Sequence, residues 1–478
     1  MPGRPGVSVQ LLDTPSAGGV SVDTGTWFAS GTTDRGPANV ATPVQSLDQF
    51  VAVFGTRQAY SLLYDAVETF FREGGGLAYI ARVVGPAATV GTKQLLDVGA
   101  AVSLTVNANG PGAWSSSYKV GVIAGGASGS YQIQVTDNAG VTLEQSGDLL
   151  TQGAAVSWSQ YSQYVRIVLG ASALNPAPVA AAALSAGADD RTNITETQWT
   201  NALALFTSNL GPGQVSQPGR TTSVAYGQIK AHVEANGRVG LLDLPDSATP
   251  ATVKSAALGV TSRFCAAFAP WCVVAGVTAG TVRTVPPSGF IAGLIAKNDP
   301  AIGTNTPSAG NAGVAQFVTD ISQPDWDDIT RTDLNNNYCN VIRRMFGGIR
   351  NYGWRSCVVA SNDPNWVNFG NSRLYVDIQA ELNAAAEDFV FRQIDGQNGY
   401  LMNSFNNALS GILINHYQRG ELFGSSASQA FVVDTGPAVN TLATLANNEL
   451  HAVCRMKMSP FAEYVVIQIV KRQITQVL

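Results

Sequence analysis

The sequence predicts a multidomain chain of mixed α/β and α+β class. An α/β core carries a small inserted all-β domain and is followed by a C-terminal α+β domain, with strand-forming arms at both ends. Three patterns predict this. Helical and strand periodicities alternate over residues 59–84 and again over 199–243, as in an α/β layer. Between them, residues 89–187 hold only short β-like runs separated by Gly, Asn and Ser turns, which suits a small all-β unit inserted into that layer. Finally, β-branched and aromatic runs stand at both termini.

Taken in order, Val7-Ser8-Val9-Gln10-Leu11 alternates apolar and polar residues after a Pro/Gly-rich start, and Ser16-Ala17-Gly18-Gly19 follows as a joint. Thr26–Gly31 is a short apolar strand that stops at the turn residues Asp34-Arg35-Gly36-Pro37. Ser46 is placed to cap a helix over the following Leu-Asp-Gln-Phe. Tyr60, Leu63, Val67, Phe70 and Phe71 recur at helical spacing over 59–73, with Gly74-Gly75-Gly76 as the stop and a strand over Ala78–Val84. The triple glycine ends a helix and precedes a strand, the reverse of the order in a phosphate-binding loop. Helices are expected over Trp199–Leu210 and Thr222–Glu234, and a buried strand over Arg238–Asp243. Ser288, in Pro-Pro-Ser-Gly, reads as turn structure. Ile378, Leu382, Ala385 and Phe389 lie on one helical face, and Leu401, Phe405, Leu409, Ile412 and His416 on another, with His416 a satisfied core or rim residue. Leu450 to Met458 alternate as a half-buried strand, and Pro460–Gln473 is a strong strand signal holding Tyr464, Val465, Val466, Ile467, Ile469 and Val470. The terminal strands are open to two readings: edge strands of their own domain, or strands that pair with a neighbouring subunit.

Composition narrows the function classes. A charged share of 13%, about half the usual 25%, points to a surface largely covered by protein partners. A net charge of −5 argues against a nucleic-acid binder, which needs a basic face. No apolar run reaches the roughly 20 residues of a membrane span, and the start has no signal-peptide pattern, so a soluble chain made without export is expected. Cys265, Cys272, Cys339, Cys357 and Cys454 are scattered and never in a C-x-x-C pair, which suits small buried hydrophobes in a reducing compartment. There is no Gly-Lys dipeptide, no Gly-x-Ser-x-Gly and no His-Glu-x-x-His, so no catalytic, cofactor or metal site is predicted. Arg343, Arg344 and Arg350 form a basic cluster, either a solvated turn or a contact with an acidic patch on a partner.

Ala269-Pro270-Trp271-Cys272, Val285-Pro286-Pro287-Ser288-Gly289-Phe290-Ile291-Ala292-Gly293-Leu294 and Ala296-Lys297-Asn298-Asp299 resemble signatures of the contractile phage tail sheath proteins, a family also found in contractile injection systems. Leu334–Arg343, Tyr352-Gly353-Trp354-Arg355-Ser356, Leu422-Phe423-Gly424 and Pro460–Val466 continue the likeness, and Pro5-Gly6-Val7, Arg35-Gly36-Pro37 and Phe70-Phe71 match in the same order. Residues 306–311 and 351–355 depart from the usual pattern. The resemblance implies a linking arm at 1–20, a discontinuous core domain of 21–88 and 188–360, an outer β-rich domain at 89–187, an inner C-terminal domain at 361–459 and a linking strand at 460–478. It implies that Val7, Val9, Leu11 and the strand Tyr464–Val470 exchange between subunits. The implied role is a non-enzymatic structural subunit without cofactor. It would polymerise as six-fold rings in a helical sheath around a tail tube, with baseplate and tail terminator proteins as further partners and no nucleic acid or small-molecule ligand. The place implied is the virion tail, assembled in the host bacterial cytoplasm, and contraction would drive the tube through the host envelope during genome delivery.

Overall fold

The computed structural model describes residues 23–359, 362–395 and 399–463. They fall into two units, one of residues 23–302 and 308–377, the other of residues 303–307 and 378–463. In the larger unit the chain begins with β1 (Trp27–Gly31), β2 (Ala41–Val44), α1 (Leu47–Phe54), α2 (Leu63–Arg72) and β3 (Ala78–Arg82). The Ser46 hydroxyl accepts the Gln49 N–H at 3.1 Å, capping α1 as the sequence predicts. The second helix starts four residues later than its periodicity suggests, because Tyr60 and Ser61 turn back instead onto the Thr33 and Thr32 carbonyls.

The inserted segment follows: β4 (Thr92–Leu96), β5 (Val102–Ala108), β6 (Tyr118–Ala124), β7 (Tyr131–Asp137), β8 (Thr142–Gln145), α3 (Gln152–Ser159), β9 (Val165–Leu169) and β10 (Val179–Ala183). They make two antiparallel sheets, ordered β4-β5-β9 and β10-β6-β7-β8, around a core that includes Leu104, Val106, Val120, Ile133, Val135 and Ile167. Thr89 bridges Ala188 across the base of the segment. It is not purely β: α3 forms because the Thr151 side chain accepts the Ala154 N–H and Ala155 packs into the core.

The chain then runs through α4 (Glu196–Ala204), β11 (Gln214–Ser216), α5 (Ser223–Asn236), β12 (Val239–Asp243), α6 (Pro250–Leu258), β13 (Cys265–Ala269), β14 (Cys272–Ala275), β15 (Val282–Val285), α7 (Pro287–Ile302), β16 (Asp320–Ile321), α8 (Asp328–Asn336), β17 (Cys339–Met345), β18 (Gly348–Asn351) and α9 (Phe369–Glu387), whose last ten residues belong to the smaller unit. The helix expected over 199–210 is α4 followed by a separate 3-10 turn at Ser208–Leu210. The main sheet is ordered β18-β17-β13-β12-β11-β1-β3-β2. Its six inner strands are parallel and both edges antiparallel. Every residue of β1, β12 and β13 is buried, the continuous apolar run expected of parallel strands covered on both faces. Phe28 stacks on Tyr79 and meets Phe206 edge-on, both with centroids 5.4 Å apart.

Ser288 is not in a turn; it lies in the first turn of α7. Its N–H and hydroxyl donate to the two oxygens of buried Asp243 at 2.7 and 2.9 Å, and Gly219 N–H donates to the same carboxylate at 2.9 Å. Pro287 presets the helical backbone there, and the carboxylate satisfies N–H groups that a helix start leaves over. Burial pushes the Asp243 carboxyl up to about 6, against the pull of these donors. Gly289 and Gly293 then let α7 lie against α2: a Cβ on Gly289 would come within 2.3 Å of the Ala66 carbonyl oxygen, and one on Gly293 within 2.7 Å of the Phe70 carbonyl oxygen. The Ser-Gly and Ala-Gly pairs of that sequence signature thus have packing reasons.

In the smaller unit, α10 (Tyr400–Gln418), α11 (Ala427–Ala430), β19 (Phe431–Asp434), α12 (Leu442–Ala446) and β20 (Val453–Met456) follow in order. Leu401, Phe405, Leu409, Ile412 and His416 are all buried along one face of α10, as their spacing predicts. The strand expected over 450–458 is shorter. The Asn440 side chain donates to the His451 carbonyl and accepts the His451 N–H, holding that residue off the ladder.

Candidate assembly surfaces

β19 and β20 pair antiparallel, with Phe431 opposite Met456 and Asp434 opposite Val453, and form a two-stranded sheet among the described residues. One face carries Phe431, Val433, Cys454 and Met456, all at least partly buried. The other carries Val432 (50% exposed), Arg455, Asp434 and Val453 (37% exposed). From α10, Asn406 donates to the Val433 carbonyl at 2.9 Å, tying the ribbon to the helix.

A charged knot fixes the chain just beyond this ribbon. The His416 Nδ1 lies 2.6 Å from Glu421 and its Nε2 3.2 Å from Glu381. Burial alone would lower the imidazole pKa, but hydrogen bonds to Glu381 and Glu421, with their charges, outweigh it and push it up to about 9. Glu421 also accepts the Thr304 N–H at 3.0 Å, and its main-chain carbonyl accepts the Ser459 N–H at 2.9 Å. Asn305 holds the Ser459 carbonyl at 2.8 Å. The chain is therefore pinned at Ser459, four residues before the last described one. Val7, Val9, Leu11, Tyr464, Val465, Val466, Ile467, Ile469 and Val470 lie outside the described residues.

Arg343, Arg344 and Arg350 come together on the β17–β18 hairpin, with Arg343 directly opposite Arg350. Arg344 pairs with Asp320 of β16, Nε to Oδ1 at 3.0 Å. Arg350 donates to Asn311 at 2.7 Å, and the Arg343 guanidinium stands 5.0 Å from the centroid of the Tyr352 ring. Phe346 and Gly347 make the two-residue turn, and Phe346 is fully exposed. Phe346 was not singled out from the sequence, although Gly347-Gly348 after an apolar-basic run is a hairpin signal.

The chain leaves β1 for β3 on one side and returns to β11 on the other, so the crevice beyond the ends of β1 and β11 is a topological switch point, where open α/β sheets bind ligands. A cavity of about 350 Å³ lies there, lined by Thr32, Tyr60, Arg191, Trp199, Gly219 and Arg220 among others. Its cations are engaged within the chain: Arg220 bonds Gln217 and Gln228 at 2.6 and 3.0 Å, pairs with Glu196 and covers Trp199 at 4.4 Å, while Arg191 pairs with Asp189 and covers Tyr60 at 3.5 Å. Among the described residues, the ring partners of the histidines are Asn236 and Arg238 for His232, Glu381, Glu421 and Arg419 for His416, and Glu449 for His451. Burial first, then the Arg238 charge, lower the His232 pKa to about 4. No group of three or more His, Cys, Asp or Glu residues suited to a metal ion occurs among the described residues. Four cysteines are buried and Cys454 half-buried; burial raises the Cys265 thiol to about 12.

The fold is that of a tail sheath protein. The chain is similar to a sheath tail protein from Listeria innocua (TM-score 0.64, 12% identity, 92% of each chain covered). It is also similar to the helical sheath of the anti-feeding prophage in its contracted state (TM-score 0.58, 17% identity, 99% of this chain and 100% of the other). A third similar structure is the contracted PVC sheath of an extracellular contractile injection system (TM-score 0.57, 15% identity, 99% and 98% covered). No sequence-family model matches the chain, and no curated protein is similar to it in sequence.

Proposed function

We propose that this protein is the structural subunit of a contractile sheath. It polymerises as helically stacked six-fold rings around a tail tube, anchored on a baseplate and closed by a terminator, and shortens to drive the tube through a cell envelope. The observation that carries this reading is the sheath fold, matched over nearly the whole chain. In it, Val7–Leu11 and Tyr464–Val470 act as arms that add strands to the β19–β20 ribbon of neighbouring subunits. Each added main-chain hydrogen bond contributes about 0.5–1.5 kcal/mol net, so a strand of several residues links subunits while still letting them slide. The work of contraction comes from two packings of one chain that differ in free energy, with no reaction catalysed and no cofactor.

The test is negative-stain electron microscopy of the purified full-length chain, alone and with its cognate tube. Striated hollow tubes are expected. Removing residues 463–478 should leave a folded subunit that forms none; normal-length sheaths from that truncation would overturn the arm assignment. A sheath of a non-phage injection particle is a second reading, favoured by the similarity to the PVC and anti-feeding prophage sheaths. Immunogold labelling on particles decides it, since label on the tails of DNA-filled virions supports the phage reading.

A further inference from the structure

The hairpin tip offers an anchor with the composition of an interface centre. Phe346 is fully exposed, Tyr352 is half-exposed, and Arg343, Arg344 and Arg350 flank them, with Arg344 paired to Asp320. Arginines and aromatics dominate the energetic centres of interfaces, and a two-residue hairpin turn holds the phenyl ring at little ordering cost. The same unit carries a surface of opposite character on α8. Ile329 is 83% exposed there, on an open helix face shared with Asp328, Thr332, Asp333 and Asn336. Asp325 and Asp327 just before α8 and Asp328 and Asp333 on it place four carboxylates there, while the cations reaching it include Arg331, Lys254 and Arg355, whose guanidinium donates to the Asn336 side chain at 3.2 Å. One patch is thus a net-basic knob with an apolar tip, the other a helix face with more acids than bases around an exposed isoleucine.

Two different, complementary patches on one chain make a heterologous contact, which generates rings and helices rather than a closed pair. We propose that the β17–β18 hairpin tip of one subunit docks on the α8 face of a second copy of this chain, Phe346 against Ile329 with the arginines over the aspartates. This rests on the sheath reading and adds the subunit contact it uses.

The test has two arms, both on the full chain under conditions where the unaltered protein forms tubes. Phe346→Glu and Ile329→Glu, each folded by circular dichroism because both side chains are exposed, should each raise the protein concentration needed for tubes by roughly tenfold or more, as loss of an interface centre does. Separately, a chain carrying Phe346→Cys, Ile329→Cys and Cys454→Ser should give, with a short bismaleimide, cross-links between subunits that peptide mapping assigns to positions 346 and 329. Unchanged thresholds, or cross-links from position 346 to the tube protein or to another part of the chain, would overturn the contact while leaving the sheath reading standing. If the unaltered chain forms no tubes even with tube and baseplate present, the sheath reading fails first and takes this contact with it.

Discussion

The two sheets differ most at their edges. In the eight-stranded sheet, β2 is a four-residue strand containing Pro43, and the outer side of β18 is covered by the chain at 310–315, which exchanges main-chain bonds with Ile349 and Asn351 at 2.9–3.0 Å. Short length, proline and a covering segment are ways of closing an edge. The β19–β20 ribbon has two strands among the described residues and an exposed face with Val432 and Val453. An isolated two-stranded ribbon is marginal in water, and this one leans on α10 through Asn406. One sheet is closed at its edges by its own chain; the other has, among the described residues, two strands and an exposed face.

Substitutions can break or sharpen that contrast. The largest effect is expected in the completed sheet: Phe268→Ala, fully buried on β13, should cost about 3–5 kcal/mol in chemical denaturation, and a much smaller loss would mean the sheet is looser than its burial implies. Next comes the knot behind the ribbon. The folded His416 pKa is raised above its unfolded value of 6.5 to about 9, so its stabilisation is full below 6.5 and lost as pH rises through 9. Calorimetry should show a melting transition that falls across this window, with His416→Gln flattening the fall; an unchanged slope would sink the assignment. Asn406→Ala removes one side-chain bond to β19 and should cost about 1 kcal/mol, read as faster amide exchange in residues 431–434. The smallest effect is Val432→Thr on the exposed face, expected within about 0.5 kcal/mol; a larger loss would show that the face is already covered within its own subunit.

How much of this was legible depended on the range of the interaction. The α10 stripe, the Ser46 cap, the alternation of Cys454 and Met456 with Arg455, and the burial of the cysteines could be read directly, because periodicity and capping act over one to four residues. The sheath likeness rested on ordered short signatures, and the fold carries it. Other features waited for the tertiary structure. Ser288 looked like a turn because its partner, Asp243, lies 45 residues away. Glu73 looked like a helix end, yet its carboxylate accepts the N–H groups of Gln316, Phe317 and Val318, 243 to 245 residues on. The arginines at 343, 344 and 350 were a charge cluster in sequence; only strand register put Arg343 opposite Arg350 and left Phe346 at the tip. The amino-acid sequence by itself determined strands such as β1, β3 and β12, helices such as α5 and α10, and the apolar face of α10. Tertiary structure alone decided which buried carboxylate meets which N–H and which segment covers the edge of β18, since pairing across tens to hundreds of residues leaves no local period to read.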